Sequence, residues 1–388
     1  MAILISFPTN FIFVLLSLIV IYANTNNAPS QKKLLLLYVG GTIGMKPDMN
    51  GLLAPCPGYL TSQVQSLPEL TESEMPEITV VEFDPILDSA CMGPEDWVKI
   101  AEKIEQEYYN FDGFVIVMGT DTMAYVASAL SFMFQCLGKP VILTGSQIPL
   151  CEAFNDARRN LIVSIIFATQ HELHEVCIFF NDRLMRGNRA SKVNSFGLDA
   201  FDSPNFPPLA QVGVNMAQRN DLMLPPPQNS FVVHKKVDSN IIVIKLVPGF
   251  DDEALIAMVN HCVNLKAIVL ETYGSGNMKS SRKSFLNFIE LAKSKGILIV
   301  AATQCRKGCS LVDMYAVASE LSKNGVIAAG DMTTEAVVTK LAYLFGRIDD
   351  PRRVALEFQT NLRGEISPKE FYTTKLSSFS RFPNNSPF

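Results

Sequence analysis

Leu34-Leu35-Leu36-Leu37-Tyr38-Val39-Gly40-Gly41-Thr42-Ile43-Gly44 and, further along the chain, Phe114-Val115-Ile116-Val117-Met118-Gly119-Thr120-Asp121-Thr122 are built to one plan. Each is an apolar run too short for a helix, so it reads as a buried strand. Each stops at glycine, with threonine as the first polar side chain after it. Two hydroxyls are thereby placed on tight turns at strand ends. In open α/β sheets the ligand crevice forms beyond the carboxyl ends of the strands, which makes both threonines candidates for chemistry.

Outward from these segments the same signature returns near 78–83, 141–144 and 176–180, with amphipathic stretches between the runs. Strands alternating with helices predict βα units on a largely parallel sheet. Pro94-Glu95-Asp96-Trp97 opens one helix, with proline and acids in the first turn and Trp97, Ile100, Ala101 and Ile104 on one apolar face. Thr122 to Leu137 predicts a second helix, apolar nearly all round and therefore buried. From Ser203 to Asp238 the periodicity fails and prolines gather, in Ser203-Pro204-Asn205-Phe206-Pro207-Pro208 and Leu224-Pro225-Pro226-Pro227, which marks a connection between domains. Strand-like runs resume at 241–247, 267–270, 297–302 and 326–329. The expected architecture is α/β, two domains with largely parallel sheets. A larger flavodoxin- or Rossmann-like N-terminal domain spans 31–210, a linker 211–238, and a smaller C-terminal α/β domain 239–375.

The 388 residues, 48% of them hydrophobic, suffice for two cores. A net charge of −5, with no basic cluster beyond pairs such as Arg158-Arg159, lacks the excess that phosphate neutralisation requires, so nucleic acid is excluded as a partner. The apolar run from Phe11 to Ala23 has the length of a signal-peptide core and is short for a bilayer span. It predicts a leader over residues 1–30 and entry to the secretory pathway, with Ala23 small enough for a cleavage site. No Lys or Arg precedes the run, so an uncleaved anchor stays open, and the membrane is a partner only through this segment. The eight cysteines are scattered, and Cys177 inside Val176-Cys177-Ile178-Phe179-Phe180 reads as a buried free thiol rather than half of a bridge. Cys305 and Cys309 have no second ligand pair, and His171-Glu172-Leu173-His174 is one residue short of a zinc motif, so no metal is expected.

Gly40-Gly41-Thr42-Ile43-Gly44 has the outline of a nucleophile turn, and equally that of a glycine-rich βα turn whose threonine caps a helix. Val39 occupies the place where a dinucleotide fingerprint needs another glycine, and no Gly-Lys-Ser/Thr phosphate loop exists. A threonine hydroxyl is a poor nucleophile unless a neighbouring base takes its proton. None of the four histidines stands beside a strand-end glycine motif. The activating groups must then be lysine, tyrosine or a carboxylate, and Thr120-Asp121 with a buried lysine would suffice.

Tyr38-Val39-Gly40-Gly41-Thr42-Ile43-Gly44-Met45, Met118-Gly119-Thr120-Asp121-Thr122-Met123-Ala124-Tyr125, Leu143-Thr144-Gly145-Ser146-Gln147-Ile148-Pro149 and Arg186-Gly187-Asn188-Arg189-Ala190-Ser191-Lys192 resemble, in order and spacing, the motifs of the type I (cytosolic-type) L-asparaginases. Tyr273-Gly274-Ser275-Gly276-Asn277 extends the resemblance into the second domain. The resemblance implies the asparaginase/glutaminase fold and hydrolysis of L-asparagine to L-aspartate and ammonia without metal or organic cofactor. It implies Thr42 as the nucleophile that attacks the side-chain amide and forms an acyl-enzyme. Thr120, Asp121 and Lys192 form the second implied cluster, in which Lys192 helps take up the Thr120 proton and Asp121 also holds the substrate's α-ammonium. Asp88-Ser89-Ala90 resembles the loop that grips the α-carboxylate, and Gly145-Ser146-Gln147 supports Thr120. Leu52 stands where many members place a catalytic lid tyrosine. Tyr315 is the implied substitute, reaching the site from a neighbouring subunit, and a homodimer or homotetramer is implied with it. Glu271 stands where bacterial members carry an effector-site arginine. Two other readings stand beside the amidohydrolase: a threonine-dependent lysophospholipase or ester hydrolase, as animal members are described, and a non-catalytic amino-acid-binding paralogue.

Overall fold

The structure, a computed structural model, describes residues 31–279, 282–311, 321 and 323–368; the leader read at 1–30 and Tyr315 lie outside them. Strand β1 (Lys33–Gly40) is followed by a hairpin of β2 (Met45–Pro47) and β3 (Leu53–Pro55), helix α1 (Tyr59–Ser66), β4 (Glu77–Leu87) and α2 (Pro94–Glu107). Then come β5 (Gly113–Val117), α3 (Met123–Met133), β6 (Phe134–Gln135), β7 (Val141–Thr144), α4 (Ala157–Phe167) and β8 (Val176–Phe180). Short strands close this half: β9 (Arg183–Arg186), β10 (Ser191–Lys192), β11 (Phe201–Asp202), β12 (Ala210–Val212), β13 (Met216–Gln218) and β14 (Val232–Val233). The second half is β15 (Ile241–Lys245), α5 (Asp252–His261), β16 (Ala267–Thr272), α6 (Lys283–Ser294), β17 (Leu298–Thr303), β18 (Val326–Ala328), α7 (Thr334–Phe345) and α8 (Pro351–Phe358).

The first sheet has the order β13-β12-β9-β8-β7-β5-β1-β4. β4, β1, β5, β7 and β8 are parallel, and β9, β12 and β13 extend the sheet antiparallel. Numbered along the chain, the parallel strands lie in the doubly wound 2-1-3-4-5 order, whose topological switch falls between β1 and β5. The fold thus opens its crevice where the two glycine–threonine turns leave the sheet.

After Lys33, β1 is buried along its whole length because helices cover both of its faces. Leu35, Leu37 and Val39 enter a core with Trp97, Ile100 and Ile104 of α2, while Leu34, Leu36 and Tyr38 enter another with Leu60 and Val64 of α1 and Leu161 and Ile165 of α4. Each such side chain contributes about 1.5–3 kcal/mol on full burial. The second sheet runs β15-β16-β17-β18, all parallel. Its residues alternate likewise, Ile268 and Leu270 into one core, Ala267 and Val269 into the other.

The helix read over Thr122 to Leu137 ends at Met133, because residues 134–135 leave it to pair with β14. Every residue of α3 but Tyr125 is buried, because the first sheet covers one side and α7 of the second domain the other. Ser128 Oγ and Thr339 Oγ1 share a hydrogen bond of 2.7 Å there, and Phe132 joins a second-domain core. Part of the stretch read as the 211–238 linker belongs to the first domain: β12 and β13 lie at its sheet edge, and Val232–Val233 pairs with β6. Among the described residues, no helix is long and apolar enough to cross a membrane.

Candidate active site

The carboxyl ends of β4, β1 and β5 touch, and glycine makes the contact possible. A Cβ on Gly41, whose φ is +94°, would fall 2.3 Å from Gly119 N, and one on Gly119 would fall 2.4 Å from Ser89 Oγ. A Cβ on Gly40 would lie 2.0 Å from Leu87 O. These approaches exclude any side chain, which is why both strands end in glycine. The turns carrying Thr42 and Thr120 and the loop carrying Asp88-Ser89-Ala90 are therefore one surface.

Thr42 starts a short 3-10 turn, Thr42–Gly44, packed on the Tyr38 hydroxyl at Gly44. Among the described residues, the Thr42 hydroxyl has no hydrogen-bond partner. Thr120 is differently equipped. Lys192 Nζ donates to Thr120 Oγ1 at 2.8 Å and to Asp121 Oδ1 at 2.5 Å, and Thr120 donates to Gln147 Oε1 at 3.3 Å. The Lys192–Asp121 pair is partly exposed, with side-chain exposures of 19% and 63%, so it adds little stability and mainly fixes where Lys192 Nζ sits.

The third component is the loop after β4. Asp88 Oδ1 accepts from Ala90 N at 3.0 Å and caps the Ser89–Cys91 turn, while Thr122 Oγ1 donates to Ser89 O at 2.7 Å and ties this loop to the Thr120 turn. Thr42, Thr120, Asp121, Lys192, Asp88, Ser89 and Ala90 thus come together at one end of the first sheet. Tyr315 lies outside the described residues, and Leu52 is exposed in the β2–β3 hairpin. Among the described residues, no three His, Cys, Asp or Glu side chains are placed to hold a metal ion, and all eight cysteines are unbridged.

The family profile described as "Asparaginase, N-terminal" matches residues 33–223, and that described as "Glutaminase/Asparaginase C-terminal domain" matches 240–358. The chain belongs to the asparaginase family. It is 42% identical over 340 residues to L-asparaginase 1 of Escherichia coli, covering 88% of this chain and 99% of that one. It is 36% identical over 362 residues to the 60 kDa lysophospholipase of Mus musculus, covering 87% of this chain and 63% of the relative. The crystal structure of L-asparaginase I from Vibrio cholerae superposes with a TM-score of 0.80 at 40% identity, covering 87% of this chain and all of the other. As in the asparaginase fold, the domains are unequal α/β units with mostly parallel sheets, the larger first.

What reading the sequence missed is how this asparaginase holds the segment leading to Lys192. Arg186 pairs with buried Glu175 at 2.5 Å, and Asn188 Nδ2 donates to Arg363 O at 3.0 Å. Buried Arg189 donates to Glu365 O at 2.8 Å and pairs with Asp331 at 2.9 Å. Ser191 Oγ donates to Glu335 Oε1 at 2.6 Å. Glu335 is buried, and burial raises its pKa above the ordinary glutamate value despite the hydrogen bond from Ser191. Three of the four anchors end in the second domain. A buried arginine paired with a carboxylate is costly to break, about 3–5 kcal/mol, so the anchoring is firm. Thr122, read only as the start of a helix, was also missed as the link to Ser89.

Proposed function

We propose that this family member hydrolyses L-asparagine to L-aspartate and ammonia, with Thr42 as nucleophile. Thr42 Oγ attacks the side-chain amide carbon, its proton passes to the departing nitrogen, and ammonia leaves a β-aspartyl ester on Thr42. Water then attacks the ester, Thr120 passes its proton to the neutral Lys192 amine, and the proton is returned to Thr42 Oγ as L-aspartate leaves. Asp121 holds the α-ammonium by charge, and Ser89 with the N–H groups of its loop holds the α-carboxylate. The observation that supports the reading is the contact between the Gly41 and Gly119 turns, which brings the Thr42 turn against the turn whose Thr120 and Asp121 are bound by Lys192.

Ammonia release from asparagine tests the proposal directly. Glutamine is expected to be slower, since one methylene changes pocket fit by about 1–3 kcal/mol. The lysophospholipase reading keeps Thr42 and has its support in the name of the mouse relative. Fatty-acid release from lysophosphatidylcholine, without ammonia release from asparagine, would establish it instead. We further propose that residues 1–30 direct the chain into the secretory pathway and that it works as a homodimer or homotetramer in which Tyr315 serves a neighbouring Thr42. The apolar core Phe11 to Ala23 supports the first, and the leucine at position 52 the second. N-terminal sequencing of the mature protein and light scattering of the purified enzyme test them.

A further inference from the structure

Lys192 sits on β10, a strand of only two residues that pairs with β11, Ser191 opposite Asp202 and Lys192 opposite Phe201. Side chains alternate across a strand, so while Lys192 points to Thr120 and Asp121, Ser191 points to the other side. There it meets Glu335, at the start of α7 in the second domain. Two residues of strand give little resistance to rotation about the strand axis. A tilt of β10 that shifts Lys192 Nζ by an ångström would take it out of the 2.8 Å contact with Thr120. The only second-domain side chain gripping a β10 residue, among the described residues, is Glu335.

We propose that Glu335 is a positioning residue for Lys192: by accepting the Ser191 hydroxyl on the far face of β10, it fixes the rotation of that strand and aims Lys192 Nζ at Thr120. Among the described residues, Glu335 makes no hydrogen bond or ion pair to Thr42, Thr120 or Asp121, so its effect passes through Ser191. α7 is itself a firm base for the grip. Thr333 caps its first turn by accepting from Ala336 N at 3.2 Å, and Thr339 binds α3 through Ser128. The second domain thereby acts on Thr120, Asp121 and Lys192, which all lie on the first. This inference rests on the reading of Lys192 as the group that serves Thr120.

The test measures kcat and KM for ammonia release in S191A, E335A, E335Q, the double variant S191A/E335A, and K192A. Loss of the grip is expected to lower kcat about 10- to 100-fold in S191A and in E335A, the size that small misplacement of a reacting group produces, with KM nearly unchanged. E335Q keeps an acceptor oxygen and should stay near the wild-type rate. The double variant should be no slower than the slower single one, because both substitutions remove the same bond. Wild-type kcat in S191A, which is small enough to leave the fold intact, would overturn the proposal, as would additive losses in the double variant. If K192A itself turned over at the wild-type rate, the reading of Lys192 would fail and Glu335 with it. Loss in K192A with none in S191A and E335A would sink the positioning role alone.

Discussion

Thr42 and Thr120 each follow a glycine at the carboxyl end of a parallel strand, and their turns touch through Gly41 and Gly119. Their surroundings differ. Thr120 accepts from Lys192 and donates to Gln147, so both its proton and its lone pair have assigned places. The Thr42 hydroxyl has no partner among the described residues. Equal backbone settings with unequal partners separate two chemical roles. The partnered hydroxyl is held in one orientation and suited to relay a proton. The unpartnered one is free to turn toward an incoming carbon and receives its activation only when the site is filled. In the unfilled site, then, Thr120 is the prepared residue and Thr42 the waiting one.

The sharpest way to break this contrast is to remove each hydroxyl in turn. T42A should lower kcat about 10⁴- to 10⁶-fold while aspartate still binds, as measured by steady-state ammonia release and calorimetry. If instead T42A turned over and formed an acyl-enzyme on Thr120, visible by mass spectrometry of the quenched reaction, the roles would be exchanged. K192M addresses the prepared side alone. A lost general base costs about 10²- to 10⁴-fold in kcat. An equal rise in KM without loss of kcat would make Lys192 a substrate-binding group rather than a base. On the waiting side, Y315F is expected to lower kcat about 10²-fold, the low end for a lost general acid–base group. Unchanged turnover would leave the activation of Thr42 to the substrate and the backbone.

The turn contact itself can be wedged. In G119A the new methyl would lie 2.4 Å from Ser89 Oγ and 2.7 Å from Ser89 Cβ, so the β5 turn must move away from the Asp88–Ala90 loop. Overpacking of this kind costs about 1–3 kcal/mol, read as a lower denaturation midpoint. It should also raise KM, because the carboxylate loop and the threonines no longer share one surface. A variant with wild-type KM would mean that the loop and the turns do not act as one site.

Much of this comparison could be read in the residues, and the physical reason is local. A parallel strand covered on both faces must be apolar without interruption, which made β1, β5 and β8 visible. A turn that admits no Cβ must be glycine, which marked both strand ends before any contact was known. What stayed hidden depends on partners distant in the chain. α3 stops at Met133 because Phe134–Gln135 pairs with Val232–Val233, a contact that no local pattern announces. Arg189 gave no signal, since two of its acceptors are backbone carbonyls, at Glu365 and Asp331, which any sequence supplies. Glu335 was hidden by an ordinary explanation, because an acid in the first turn of a helix already fits the helix dipole. The place of Lys192 beside Thr120 and Asp121 became legible only through the family resemblance.

The smallest effect concerns the hold that the second domain keeps on the prepared side. Burial raises the pKa of Glu335 above the ordinary value of 4.5, with Glu271 adding to the rise and the bonds from Ser191 and Thr333 opposing it. The folded protein therefore keeps this proton more tightly than the unfolded chain. Stability from this source is complete below the unfolded pKa and is lost as pH rises through the folded one. E335Q has no proton to lose and retains an acceptor for Ser191. Its melting temperature should match the wild type in acid and exceed it increasingly from the ordinary glutamate range upward. Calorimetric scans at pH 4 to 8 read the difference. A melting-temperature gap that stayed flat across that range would mean that Glu335 ionises as easily inside the protein as outside. The grip on Ser191 would then bear no desolvation cost.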